Sequence, residues 1–147
     1  MLAEEELLIC TKKDHPIGRY AMDNPASAYP RLDVRLLKNQ LVILMDPRQR
    51  TRQIVDRYLK TQGIALNNTI SISNIISIMD LVAEDYGVSF LFEPHVKAHS
   101  FKKPIDCYSV GEPRLTSSVV AAYRKNSYLP EYAKDYIELT RQVYAGK

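Results

Sequence analysis

Glycine is scarce in this chain, with five residues in 147. None forms a phosphate-cradling loop, and neither GxGxxG nor GxSxG occurs, so nucleotide binding and hydrolase chemistry lack their usual signatures. Cysteine is scarcer: Cys10 and Cys107 both sit in apolar, strand-like runs without adjacent cations. They read as small buried hydrophobes rather than as a disulfide or a reactive thiolate. No apolar run approaches the roughly 20 residues that cross a bilayer. The start, Met1-Leu2-Ala3-Glu4-Glu5-Glu6, is acidic where a secretory signal is basic, so a cytoplasmic protein is expected. An excess of one charge is missing too: 20 basic against 17 acidic residues leave +3, too slight and dispersed to argue for nucleic-acid binding. His95 and His99 have metal-compatible spacing, but the glutamate of a zinc protease and a third ligand are both absent, and a solvated loop is expected. No catalytic set, metal or cofactor is expected.

What is present is a soluble, globular composition, nearly half apolar and a quarter charged, at a length suited to one compact domain. Glu6-Leu7-Leu8-Ile9-Cys10-Thr11 predicts a buried strand, followed by a connector from Ile17 to Gln40 in which Asp33 to Lys38 form a short helical turn. Leu41-Val42-Ile43-Leu44-Met45 is apolar at every position, as in a parallel sheet covered on both faces. A helix-start signature follows, with Asp46 as N-cap, Pro47 at the first helical position and Gln49 as the capping-box partner. Ile54, Val55, Tyr58 and Leu59 mark its apolar side, and Gly63 its left-handed stop. The unit repeats: Asn68 to Ile72 as strand, Ser73 or Asn74 as cap, Ile75, Ile78, Met79 and Val82 at helical spacing, Gly87 as stop, and Val88 to Phe92 as strand. Strand, helix, strand, helix, strand implies a parallel, three-layer α/β lobe. Two further strands are expected at Ile105 to Val110 and Thr116 to Tyr123. A final helix beyond Pro130 carries Tyr132, Tyr136, Leu139 and Val143, an apolar side read as core contact with nothing in the chain to lie on. The first strand and the last strand-helix pair therefore look like the edge of a second, partial lobe.

The stretch from Asp46 to Thr51 is the best candidate for chemistry. It lies past the carboxyl end of a parallel strand and opens a helix, where α/β sheets place ligands and helix dipoles attract anions. Ordinary capping competes, because Asp46 can itself occupy the positive end while Arg48 and Arg50 point into water. Ser73 and Asn74 hold the equivalent position one unit along, and two such starts can converge on one small anion.

The segments Glu5 to Thr11, Asp14 to Ile17, Leu41 to Met45, Val82 to Leu91, and Tyr123 to Lys125 with Leu129-Pro130 resemble, in order and spacing, landmarks of the effector-binding domain of LysR-type transcriptional regulators. The resemblance implies a type 2 periplasmic-binding-protein-like fold: two Rossmann-like α/β lobes, an effector between them, and crossovers near Thr11 to Asp14 and Ser118 to Tyr123. Residues 1–16 would be a partial first lobe with its crossover strand, 17–115 the second, regulatory lobe, and 116–147 the return to the first. The DNA-reading winged helix-turn-helix and the earlier strands of the first lobe would lie outside these residues. Pro47, Arg48, Gln49, Ser73 and Asn74 would hold a small anionic metabolite. Arg50, Gln53 and Arg57 would face a second copy in a homo-oligomer, with no membrane partner and DNA reached only through the helix-turn-helix. Two departures stand out: Arg48-Gln49-Arg50 replaces the small residue between glycines common in the family, and Asp85 replaces a glycine. No cysteine stands at the first helix start, so the peroxide-sensing variant is not implied. The alternative is a solute-binding protein or small enzyme on the same two-lobed plan.

Overall fold

The computed structural model describes residues 2–145 and divides into two compact units: Glu6–Leu115, and the first residues as far as Glu5 together with the chain from Thr116 onward.

In the larger unit the elements are most of β1 (Ala3–Lys12), 3-10 turns at Pro16–Tyr20 and Val34–Leu37, β2 (Leu41–Leu44), α1 (Arg50–Thr61), β3 (Asn68–Ser71), α2 (Ile75–Ala83), β4 (Val88–Phe92), α3 (Glu93–Ala98) and β5 (Ile105–Ser109). The strands run in the order β3-β2-β4-β1-β5. β2 pairs in parallel with both β3 and β4, as the repeated strand-helix pattern predicts. β1 enters antiparallel between β4 and β5. Alternate residues point to opposite faces of a strand, and both faces are covered. Leu7, Ile9, Val42, Leu44, Val88, Phe90 and Phe92 pack with Val55 and Leu59 of α1 and with Leu32, Val34 and Leu37 of the connector. On the other face Leu8, Cys10, Ile43 and Leu91 meet Ile78, Met79 and Val82 of α2. This is the expected three-layer lobe, and it explains the unbroken apolar run of β2. Each fully buried aliphatic or aromatic side chain contributes about 1.5–3 kcal/mol. Asp33 caps its predicted turn, accepting from the Arg35 N–H at 2.9 Å.

Several expectations change. The chain does not enter α1 at Asp46: residues 46–49 form a turn, and the helix begins three positions later with Gln49 as N-cap and no side-chain cap bond. Asp46 still accepts from the Arg48 N–H as a cap would, but the Gln49 N–H closes a turn on the Asp46 carbonyl and α1 starts only after it. Gly63 is the left-handed stop of α1, at φ +68°. For α2 that conformation falls on Asp85, at φ +64°, not on Gly87. Gly87 is required for a different reason, since a Cβ there would stand 2.8 Å from the Leu41 carbonyl oxygen. The segment after Pro94, expected as loop, begins in α3, which ends before His99; that imidazole meets the Asp80 carboxylate at 2.9 Å. Among the described residues no group of His, Cys, Asp and Glu is arranged to hold a metal. Thr11 is fully buried opposite Asp106 within the sheet, and the chain enters the larger unit at Glu6.

The smaller unit pairs β6 (Thr116–Val119) with the start of β1, the Leu2 N–H donating to the Val119 carbonyl at 2.6 Å. α4 (Glu131–Ala145) is anchored by the Tyr144 hydroxyl on Glu5. Its tyrosine stripe is not core contact: Tyr132 and Tyr136 are 77% and 72% exposed, and Leu139 and Val143 are exposed beside them. None of the helices among the described residues is long and apolar enough to cross a membrane.

Candidate ligand site

The register of β2 and β3, with Leu44 opposite Ser71, ends the two strands level with one another. The Ile72 N–H adds one last bond to the Leu44 carbonyl, at 2.9 Å, and the two chains then turn toward α1 and α2 from the same edge. Sequence order alone therefore places residues 46–49 and 73–74 on one rim.

Asp46 organises the first turn. Its Oδ1 accepts from the Arg48 backbone N–H at 2.9 Å, and its two oxygens receive the guanidinium at 3.0 and 3.1 Å. The Arg48 side-chain bond, then its backbone bond, hold the Asp46 carboxyl down at about 2. Arg48 is thus a neutralised cation lying over the surface, its side chain 90% exposed. Gln49 reaches across to the second turn, its Nε2 donating to the Ser73 carbonyl at 3.3 Å. Asn74 caps α2, its Oδ1 accepting from Ile76 and Ser77 N–H groups at 2.9 and 3.2 Å. Pro47 is exposed in the first turn. The five expected residues are adjacent; Gln49 and Ser73 are joined directly, while Arg48 turns to Asp46.

Arg52, one of several arginines along α1, belongs to this edge although nothing in its spacing singles it out. Only 17% of its side chain is exposed. Its Nη1 donates to the Met45 carbonyl at 2.9 Å and to the Ser71 hydroxyl at 3.0 Å, and its Nε to Asp56. It ties the end of β2 to the end of β3. The only forewarning was Asp56 four residues on, a spacing that pairs charges along any helix.

The same edge of the sheet carries paired acids. Glu6, 4% exposed, accepts from the Ser27 hydroxyl at 2.6 Å and from Arg114 at 3.3 Å. Glu93 pairs with Lys97 at 2.6 Å. Burial first, then the Glu93 charge, pushes the Tyr29 phenol up to about 12. The charged side chains of this edge are therefore largely balanced, and the amides of Gln49 and Asn74 lie beside them at the helix starts. A separate cavity of about 510 Å³, bordered by Tyr20, Arg31, Arg35 and Tyr58, shares no residue with the rim. Arg31 in its wall is paired with Glu112. Arg50, Gln53 and Arg57 lie exposed at helical spacing along α1.

A mixed sheet covered on both faces, with parallel strands that lead into helices from one edge, belongs to a type 2 periplasmic-binding-protein-like domain. The LysR substrate binding domain profile matches residues 1–145, and the chain belongs to that family. The family is one of transcriptional-regulator effector-binding domains, not of enzymes; its members bind small-molecule effectors and work as oligomers. Among solved structures, the fold is similar to the CcmR regulatory domain of Synechocystis PCC6803 in complex with 2-PG, with a TM-score of 0.73 at 11% identity over 97% of this chain and 64% of that one. It is similar to the effector binding domain of QuiR in complex with shikimate, at 0.64 and 15% over 99% and 64% of the two chains. It is also similar to HinK, a LysR family transcriptional regulator from Pseudomonas aeruginosa, at 0.73 and 20% over 97% and 46%. The chain thus spans less than two thirds of each of these relatives. A search of curated proteins gives no match.

Proposed function

We propose that this chain is the effector-sensing and oligomerisation module of a LysR-family regulator, with the rim formed by Pro47, Arg48, Gln49, Ser73 and Asn74 as its share of the effector site and a small anionic metabolite as the effector. The Gln49 to Ser73 bond carries this reading, because it couples two helix starts that one ligand would contact together. Helix starts and side-chain amides recognise a carboxylate or phosphate without a bare cation, which suits a rim whose charges are already paired. On this reading residues 116–147 and the start of β1 belong to a lobe completed by chain outside these residues. Arg50, Gln53 and Arg57 face a second copy, and DNA is read by a separate helix-turn-helix. An effector acts by binding one arrangement of the regulator better than another, since only differential affinity shifts an equilibrium.

The test is a thermal-shift screen of the chain with carboxylates and phosphates, beginning with 2-PG and shikimate, followed by calorimetric titration of the Arg48→Ala, Gln49→Ala double variant. A ligand at 100 times its Kd stabilises by about 2.7 kcal/mol. The expected result is stabilisation by at least one anion and at least tenfold weaker binding in the double variant. An anion bound equally well by both proteins removes the site.

A further inference from the structure

The sequence presents Cys10 and Cys107 as two unrelated buried residues, whereas the fold makes them one feature. They are register partners on β1 and β5, their Sγ atoms are 3.5 Å apart, and both are free thiols. The phase of the ladder is set nearby, where the Lys13 N–H donates to the Pro104 carbonyl directly opposite at 3.2 Å. Hydrogen-bonded and non-hydrogen-bonded pairs alternate along an antiparallel ladder. Thr11 with Asp106 is therefore a bonded pair in phase only when shifted by two from Lys13, and Cys10 with Cys107 falls on a non-hydrogen-bonded pair. At such pairs the Cα atoms stand about 4.5 Å apart and the side chains are closest. That lies within the roughly 4.4–6.8 Å over which disulfides form without moving the backbone.

We propose that Cys10 and Cys107 constitute a reversible redox site that closes to a disulfide across β1 and β5 by exchange with a low-molecular-weight disulfide. Access fixes the order of events. Cys10 is completely buried in the cluster with Ile43, Met45 and Leu91, while Cys107 is only half-buried, on the outermost strand of the sheet. The Cys107 thiolate attacks one sulfur of the external disulfide, breaking its S–S bond and releasing one small thiolate. The Cys10 sulfur then attacks the Cys107 sulfur of the mixed disulfide, expelling the second thiolate, which carries away the Cys10 proton. Two protein thiols are oxidised and one external disulfide is reduced to two thiols. The bond to Cys107 and then burial push the Cys10 thiol well up, which suits it to the intramolecular second step rather than to the first. The cross-link joins residues 97 apart in sequence, and so constrains the unfolded chain strongly.

The experiment incubates the reduced chain with 2-hydroxyethyl disulfide, quenches in acid, alkylates with N-ethylmaleimide after unfolding, and reads intact mass. The expected wild-type product has lost two hydrogens, resists alkylation, reverts with dithiothreitol and melts several degrees higher than the reduced form. Cys10→Ala, checked for folding by circular dichroism, accumulates the mixed disulfide on Cys107, and Cys107→Ala remains fully alkylatable. The proposal is overturned by a wild-type protein that stops at the mixed disulfide, by one that stays alkylatable while Cys10→Ala reacts, or by an oxidised form that melts below the reduced one. Reaction of Cys107→Ala at the wild-type rate overturns the assigned order.

Discussion

Asn74 serves as cap and, on the proposed reading, as anion ligand, and two substitutions at this one position separate the roles. In Asn74→Ala the acceptor that receives the Ile76 and Ser77 N–H groups at 2.9 and 3.2 Å is gone. Losing such a cap costs about 1 kcal/mol, or about 3–4 °C in Tm for a chain of this size. Asn74→Asp keeps the acceptor and adds a negative charge where the dipole of α2 favours it by about 0.3–1 kcal/mol. The same charge opposes a bound anion. At about 5 Å and an effective dielectric constant of about 20–40 the repulsion is about 2–3 kcal/mol, an affinity loss of at least about tenfold. Urea denaturation measures the first effect, and calorimetric titration with the most stabilising anion of the screen measures the second. The expected pattern is a less stable Asn74→Ala, and an Asn74→Asp as stable as wild type that scarcely binds. Undiminished affinity in Asn74→Asp refutes a ligand at the start of α2, and a wild-type melting curve for Asn74→Ala refutes the cap.

Four further outcomes follow from the described contacts. The Asp46 carboxyl sits at about 2, below its ordinary value of 3.8, so its tie to Arg48 is complete above about pH 4 and is lost as pH falls toward 2; a carboxyl NMR titration should find that midpoint in wild type and a higher one in Arg48→Ala. Glu6→Ala strips the Ser27 hydroxyl and Arg114 of a buried acceptor, costing about 1–3 kcal/mol by chemical denaturation, whereas Glu6→Gln, which still accepts from Ser27, costs less. Asp85→Gly relieves a left-handed residue at φ +64° and should raise Tm modestly, since glycine adopts that conformation without the clash of a Cβ, offset slightly by the exposed Lys12 pair; Gly87→Ala should lower Tm, because its Cβ would meet the Leu41 carbonyl oxygen, which cannot turn aside, as well as the Ile43 side chain.

The parallel core was legible because β2 and β4 are apolar throughout and each helix carries its own spacing and cap. Position along the chain also located the rim. Most of what stayed hidden was decided by pairings between segments remote in sequence, the start of α1 being the exception. Asp46 carries every mark of a cap and accepts from the Arg48 N–H, yet the chain makes a separate turn there and α1 begins three residues later, a local choice that the capping signature does not distinguish. Arg52 resembles its neighbouring arginines until β3 brings Ser71 beside it. Cys10 meets Cys107 only because β1 inserts antiparallel next to β5. The tyrosine side of α4 was recognised as apolar, but periodicity cannot say whether a partner surface is present.

That insertion of β1 also bears on how the domain is made. Leu7 finds Phe92, and Leu8 finds Ser109, so the strand inserted between β4 and β5 is synthesised well before either of its neighbours. At about 5–20 residues per second a ribosome holds it waiting for several seconds, with an apolar ribbon and both hydrogen-bonding edges unsatisfied. Late docking of an early strand makes acquisition of the native state slow, and a nascent chain halted just short of β5 is the species on which a chaperone would be expected to act.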